Sequence, residues 1–218
     1  RERTLNLTRR RVSVPVVEAR MREACGKKIG VVALSQFSSG AHAEVYAALR
    51  RLDRQGADAF VFDLRGNGGG YLVTAVEVTS EFLKDGVVLY EEYGDGTREP
   101  YPVEKGGRAT EIPLVVLIDE GSASASEITA GALQDYGRAK LVGVTSYGKG
   151  SVQNWIPLRT EAGGVRITIA RWLTPNGNHI DGIGLTPDLV VEFTEEDLEA
   201  KRDPQLDAAV ELLLDAQP

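Results

Sequence analysis

Cysteine is nearly missing from this sequence. Cys25 stands alone in 218 residues, which excludes an internal disulfide and any cysteine-built zinc site. Histidine is almost as scarce, with His42 and His179 the only two, so a histidine-rich metal centre is excluded as well. Long apolar runs are also lacking. The longest aliphatic stretch runs from Leu114 to Ile118, against the roughly 20 residues that a membrane helix needs. Positive charge is in deficit: 25 Lys and Arg face 32 Asp and Glu, a formal net charge of −7, which argues against nucleic acid or an anionic membrane as the main partner. What is present is ordinary globular usage, 42% hydrophobic and 26% charged, in a chain long enough to bury a substantial core. The arginine-rich start (Arg1, Arg3, Arg9, Arg10, Arg11) has the charge of a signal-peptide n-region, but Val12 to Val17 is too short an apolar stretch and Pro15 interrupts it. The start is read as cut from a longer chain, with no targeting signal in this segment.

Apolar runs at Ile29 to Leu34, Ala59 to Leu64, Gly86 to Tyr90, Pro113 to Asp119, Lys140 to Val144 and Val152 to Pro157 predict buried strands. Helical spacing fills several intervals: Ala41 to Leu52, Val73 to Leu83 and Ser124 to Tyr136. This alternation predicts an α/β domain with helices covering a largely parallel sheet. Val165, Ile167 and Ile169 alternate with Arg166 and Thr168, as in a strand with one solvated face. The polar, glycine- and proline-bearing stretch from Glu91 to Thr110 reads as a surface hairpin or lid. Pro204 opens an amphipathic closing helix through Leu206, Ala209, Val210, Leu213 and Leu214.

Three segments could carry chemistry. Asp63-Leu64-Arg65-Gly66-Asn67-Gly68-Gly69-Gly70 follows a strand and precedes a helix, where backbone amides can converge on an anion. It lacks the third glycine of a dinucleotide fingerprint, and the remaining readings are a tight turn or amides aimed at a developing oxyanion. Gly143 to Ser151 approaches a P-loop, but Gly150 stands where the magnesium-binding hydroxyl belongs and a strand follows instead of a helix. What survives is Lys149 between Gly148 and Gly150. Gly121-Ser122-Ala123-Ser124-Ala125-Ser126-Glu127 leads into a helix, so its hydroxyls either cap that helix or supply a nucleophile near its positive end. A lysine can serve as base to such a serine when its surroundings favour the neutral amine.

Together these segments resemble the C-terminal processing (tail-specific) serine-lysine proteases. The matching stretches, in the family's order, are DLRGNGGG at 63–70, SASASEITAGALQDYGRAKLVG at 122–143, SYGKGSVQ at 146–153 and TPNGNHIDGIGLTPD at 174–188. The resemblance implies a crotonase/Clp-protease-like α/β core with a small β excursion. It places the nucleophile at Ser124, the general base at Lys149 and the residue orienting that lysine at Gln153. The oxyanion hole is implied at the amide of Ala125 and at Gly69 or Gly70, with Arg65 and Asn67 holding the shape of the turn. Asp135 lies 11 residues from Ser124, about 16 Å along a straight helix, and is read as structural. His42 and His179 are given no role.

The implied activity is a serine endopeptidase acting on proteins or peptides, directed at C-terminal tails and needing no metal or cofactor. Substrate is expected as an added strand on a sheet edge. The resemblance also implies an extracytoplasmic location and a PDZ domain in the longer chain, with residues 1–17 as the exit segment from it and 18–218 as the peptidase core. Two rivals stand beside this reading: a non-catalytic or PDZ-dependent peptide-binding core of the same fold, and a crotonase-like acyl-CoA enzyme. The latter leaves the 25-residue spacing of Ser124 and Lys149 unexplained.

Overall fold

The computed structural model describes residues 14–159 and 163–215; the expected exit segment falls largely outside them, at 1–13. Strand β1 (Val17–Ala24) turns at Cys25-Gly26 into β2 (Lys27–Leu34). Both turn residues are left-handed, with φ of 49° and 80°, matching the twist of an antiparallel hairpin. Then follow α1 (Ala41–Arg54), β3 (Ala59–Asp63), α2 (Leu72–Ser80), the strands β4 (Val87–Tyr93) and β5 (Arg98–Pro102), β6 (Leu114–Ile118), α3 (Ala125–Asp135) and β7 (Lys140–Gly143). The chain continues through β8 (Ser151–Pro157), β9 (Gly164–Leu173), the short β10 (Leu189–Val190), α4 (Glu195–Glu199) and α5 (Pro204–Asp215).

One sheet has the order β1-β2-β3-β6-β7-β10 and is parallel from β2 onward. Its central strands are apolar without interruption because both faces are covered. Ile29, Val31, Ala59, Val61, Val115, Leu117 and Val142 face α5 and its Leu206, Ala209, Val210 and Leu213. The alternate residues, among them Val32, Leu34, Phe60, Phe62, Val116 and Ile118, join the larger core with Val45 and Leu49 of α1, Val78 of α2 and Ile128 of α3. Each βα connection therefore returns to the same layer, and the turns after β3 and β6 meet at the carboxyl ends of adjacent parallel strands. Open α/β sheets place their sites at that edge.

The second sheet, β5-β4-β9-β8, is antiparallel. The β9 pattern predicts an apolar face turned inward, yet Val165, Ile167 and Ile169 are 45%, 44% and 39% exposed. Only the base of the β8–β9 hairpin, at Ala170, Trp172 and Leu173, is buried, so its outer half is solvated on both faces. β5 and β8 form the sheet's two edges among the described residues.

Removing the anchoring side chain of α5 with Leu213→Ala is expected to destabilise the fold by about 2–4 kcal/mol, read as a lower urea midpoint. A change below about 0.5 kcal/mol would show that α5 is not part of the core.

Candidate active site

The two glycine- and serine-rich turns are sewn together by hydrogen bonds that separate the three candidate serines. Ser122 Oγ donates to the Leu64 carbonyl at 2.8 Å and Ser126 Oγ to the Asn67 carbonyl at 2.7 Å. Both side chains are fully buried, and their protons are committed to the backbone. Ser124 alone of the three opens into a cleft of about 730 Å³. It sits at the start of α3 with φ 56° and ψ −112°, a conformation costly for a residue with a Cβ. Such a turn between strand and helix lifts a hydroxyl clear of the backbone.

The glycine turn is shaped by Asn67, also fully buried. Its Nδ2 donates to the Leu34 carbonyl at 2.7 Å and its Oδ1 accepts the Gly69 amide at 2.9 Å. Gly69 thus has its amide occupied. A side chain there would meet Ala123 O at 2.7 Å, Ser124 Cβ at 2.9 Å and the Ala125 nitrogen at 3.0 Å, and its φ of +100° is one that glycine alone adopts freely. Gly70 bridges to Phe37 and lines the cleft with Ser124 and Ala125. Neither the Gly70 nor the Ala125 amide donates to an acceptor among the described residues, leaving two amides beside the Ser124 hydroxyl.

Lys149 and Gln153 border the same cleft, Lys149 half-buried just before β8 and Gln153 exposed on it. No hydrogen bond joins the Lys149 and Ser124 side chains. Their loops are instead joined through a residue that carries no role in the sequence reading, Glu127. Its fully buried carboxylate accepts from Ser146 Oγ and the Gly148 amide, both at 2.6 Å, on one oxygen. The other oxygen takes the amides of Ser124 at 2.8 Å and Lys149 at 2.9 Å. The Ser-x-x-Glu spacing at 124–127 was the available signal, since it is also that of a capping box. Further out, Trp172 Nε1 donates to the Lys149 carbonyl at 2.9 Å, fixing the base of the hairpin against the lysine.

Arg65 holds the glycine turn from below. It is ion-paired to Asp63 and Asp203 at 2.7 and 2.9 Å and donates to Gln205 Oε1 at 2.9 Å, so the turn is tied to the start of α5. Burial disfavours the charged guanidinium, but the bonds to Asp63 and Asp203 outweigh it and hold its pKa above the ordinary value. Burial likewise opposes ionisation of Asp203, and the Arg65 bonds with the Leu206 amide overcome that to keep its carboxyl below the usual range. Asp135 accepts the Asn176 amide at 2.8 Å, His42 contacts Glu81 at 2.8 Å, and none of Asp135, His42 and His179 borders the cleft. A hydroxyl on a strained turn, an amine and two amides without an acceptor among the described residues border one cleft, and acyl transfer uses groups of these kinds.

The model of Peptidase family S41 matches residues 28–191, and the chain belongs to that family. It is 40% identical over 211 residues to a carboxyl-terminal-processing protease of Synechocystis sp., covering 95% of this chain and 49% of that one. It is 41% identical over 192 residues to carboxyl-terminal-processing peptidase 2, chloroplastic, of Arabidopsis thaliana, covering 85% and 37%. Among solved structures, the photosystem II D1 C-terminal processing protease superposes with a TM-score of 0.77 at 34% identity, over 87% of this chain and 52% of that one. The chain spans about half the length, or less, of the curated relatives it matches.

Glu127→Gln removes the charge and, in either orientation, turns an amide NH₂ towards at least one backbone N–H, so it is expected to destabilise the fold by about 3 kcal/mol in urea denaturation; a loss under about 0.5 kcal/mol would contradict the clasp. Because the folded-state pKa of Asp203 is depressed, the stability it contributes is complete above the ordinary carboxylate value near 3.9 and is lost as pH falls through the lower folded value. Asp203→Asn should therefore flatten the decline of stability with acid below about pH 4, and a variant as acid-sensitive as the parent would refute that linkage.

Proposed function

We propose that this chain is the catalytic core of a serine endopeptidase that trims C-terminal tails with a Ser124–Lys149 dyad. Ser124 Oγ attacks the peptide carbonyl while Lys149 Nζ takes its proton and then delivers it to the leaving amine. Water, activated by the same lysine, hydrolyses the acyl-enzyme. Gln153 orients Lys149 across the cleft. The oxyanion is received by the amides of Ala125 and Gly70, the latter favoured over Gly69 because the Gly69 amide is bound to Asn67. Losing one such donor typically costs hundredfold or more in rate.

The observation that carries the reading is that Ser124, Lys149, Gln153, Gly70 and Ala125, which come from three separate segments, border one cleft. The names of the relatives supply the direction towards C-terminal processing. No metal or cofactor has a part in these steps. Substrates are proteins or peptides reaching the cleft in extended form, in an extracytoplasmic compartment, and a PDZ domain in the longer protein delivers them. A peptide-binding core whose dyad closes only with that domain is the second reading, favoured by the lack of a direct Ser124–Lys149 hydrogen bond. Catalytic contacts are often loose before substrate arrives, so the active reading is preferred.

The test is mass-spectrometric analysis of an unfolded protein with an apolar C-terminal tail after incubation with the parent, Ser124→Ala and Lys149→Ala. Cleavage by the parent alone is expected, with Gln153→Ala slowed but active. Cleavage by Ser124→Ala would overturn the assignment, and a folded but inert parent would favour the binding core.

A further inference from the structure

The residues bordering the cleft include two cations, Lys149 and Arg166, and no carboxylate. That is unusual in a chain whose acids outnumber its bases by 32 to 25. The bias extends along the hairpin: from Val144 to Ile180 the described residues carry Lys149, Arg159, Arg166 and Arg171 without one Asp or Glu, while Glu161 lies outside them. With Lys149 assigned to proton transfer, Arg166 is the cleft's remaining charge. It is exposed, and no carboxylate among the described residues forms a salt bridge with it.

Strand register fixes where that charge lies. Arg166 pairs with Trp155 and Thr168 with Gln153, so Gln153, Trp155, Thr168 and Arg166 share one face of the hairpin. Trp155 stands six residues beyond Lys149 along an edge strand free to accept another chain. At roughly 3.3 Å per residue the Trp155–Arg166 rung is at most about 20 Å from the lysine, and the register shift between Val152 and Gln153 shortens that path. An arginine side chain can reach back several ångströms from it.

We propose that Arg166 is a substrate-binding residue that holds a peptide carboxylate about four to six residues from the cleaved bond, on a chain running outward along β8. The inference rests on the peptidase reading and adds a carboxylate subsite within the catalytic core itself. The carboxylate can be the substrate's C-terminus or an Asp or Glu side chain at the same distance. Both fit a guanidinium in a fork of two hydrogen bonds.

The test measures binding separately from cleavage. Ser124→Ala protein is titrated by fluorescence anisotropy with N-terminally labelled ten-residue apolar peptides ending in a free carboxylate or an amide. The acid should bind about tenfold more tightly, a preference that shrinks with added salt and falls to near unity in Ser124→Ala/Arg166→Gln. An amide peptide with Asp as its last residue separates the sources: tight binding of the acid peptide alone assigns the subsite to the chain terminus, of the Asp amide alone to side-chain carboxylates, and of both to either carboxylate. Equal binding of the acid, the amide and the Asp amide by Ser124→Ala, or a preference unaltered by Arg166→Gln, would overturn the proposal. If the preference is seen but the parent cleaves neither peptide, the peptidase reading fails and the subsite stands.

Discussion

The buried carboxylate of Glu127 is the constraint on which the rest of the site depends. Ser124 and Lys149 are 25 residues apart on different loops, and neither loop has regular structure to position it. A charge removed from water must be compensated by close donors, and Glu127 finds four in the two loops that carry the serine and the lysine. The solvation demand of one ion thus becomes a geometric specification for the pair. The same group occupies the Ser124 amide at the start of α3, leaving the next amide, that of Ala125, available to the cleft.

Around this clasp the turn after β3 is fixed twice. Asn67 holds it from above, with bonds to the Leu34 carbonyl and the Gly69 amide, and Arg65 holds it from below, through Asp63 and Asp203. Ser122 and Ser126 add bonds to its carbonyls. The turn is thus held on several sides, and under the proposed mechanism such an arrangement would stabilise charge with little reorganisation. The β8–β9 hairpin contrasts with it. Its base is anchored by Trp172, while its outer half carries basic and apolar side chains into solvent, which suits a surface meant to meet another chain.

Much of the fold is legible in the sequence because the parallel strands are buried on both faces and read as unbroken apolar runs. Helices α1 and α5 show the spacing of one buried stripe, while α3 is buried all round from Ala125 to Leu133. β1 was not legible, since its half-buried alternation with charged residues lacks a strong apolar signal. The β9 alternation was legible as a strand and misleading about which face is covered, because periodicity records a pattern and not the presence of a neighbour. The candidate site was legible through motif order, which singled out Ser124, Lys149 and Gln153, three residues that border one cleft. Glu127 was not, because a carboxylate three residues into a helix reads as a cap, and its bonds to residues 146, 148 and 149 exist only in three dimensions. Nor could the glycine run itself say which amide was free. That depended on where the Asn67 side chain turned.

The central claim, that Lys149 activates Ser124, is tested most directly by acylation. The parent and Lys149→Ala are treated with an activated peptide ester at neutral pH, and the adduct is located by peptide mapping of the trapped acyl-enzyme. The account predicts a single acyl group on Ser124 in the parent and little or none in Lys149→Ala at the same time point. Acylation of Ser122 or Ser126, or undiminished labelling of Ser124 without the lysine, would contradict it.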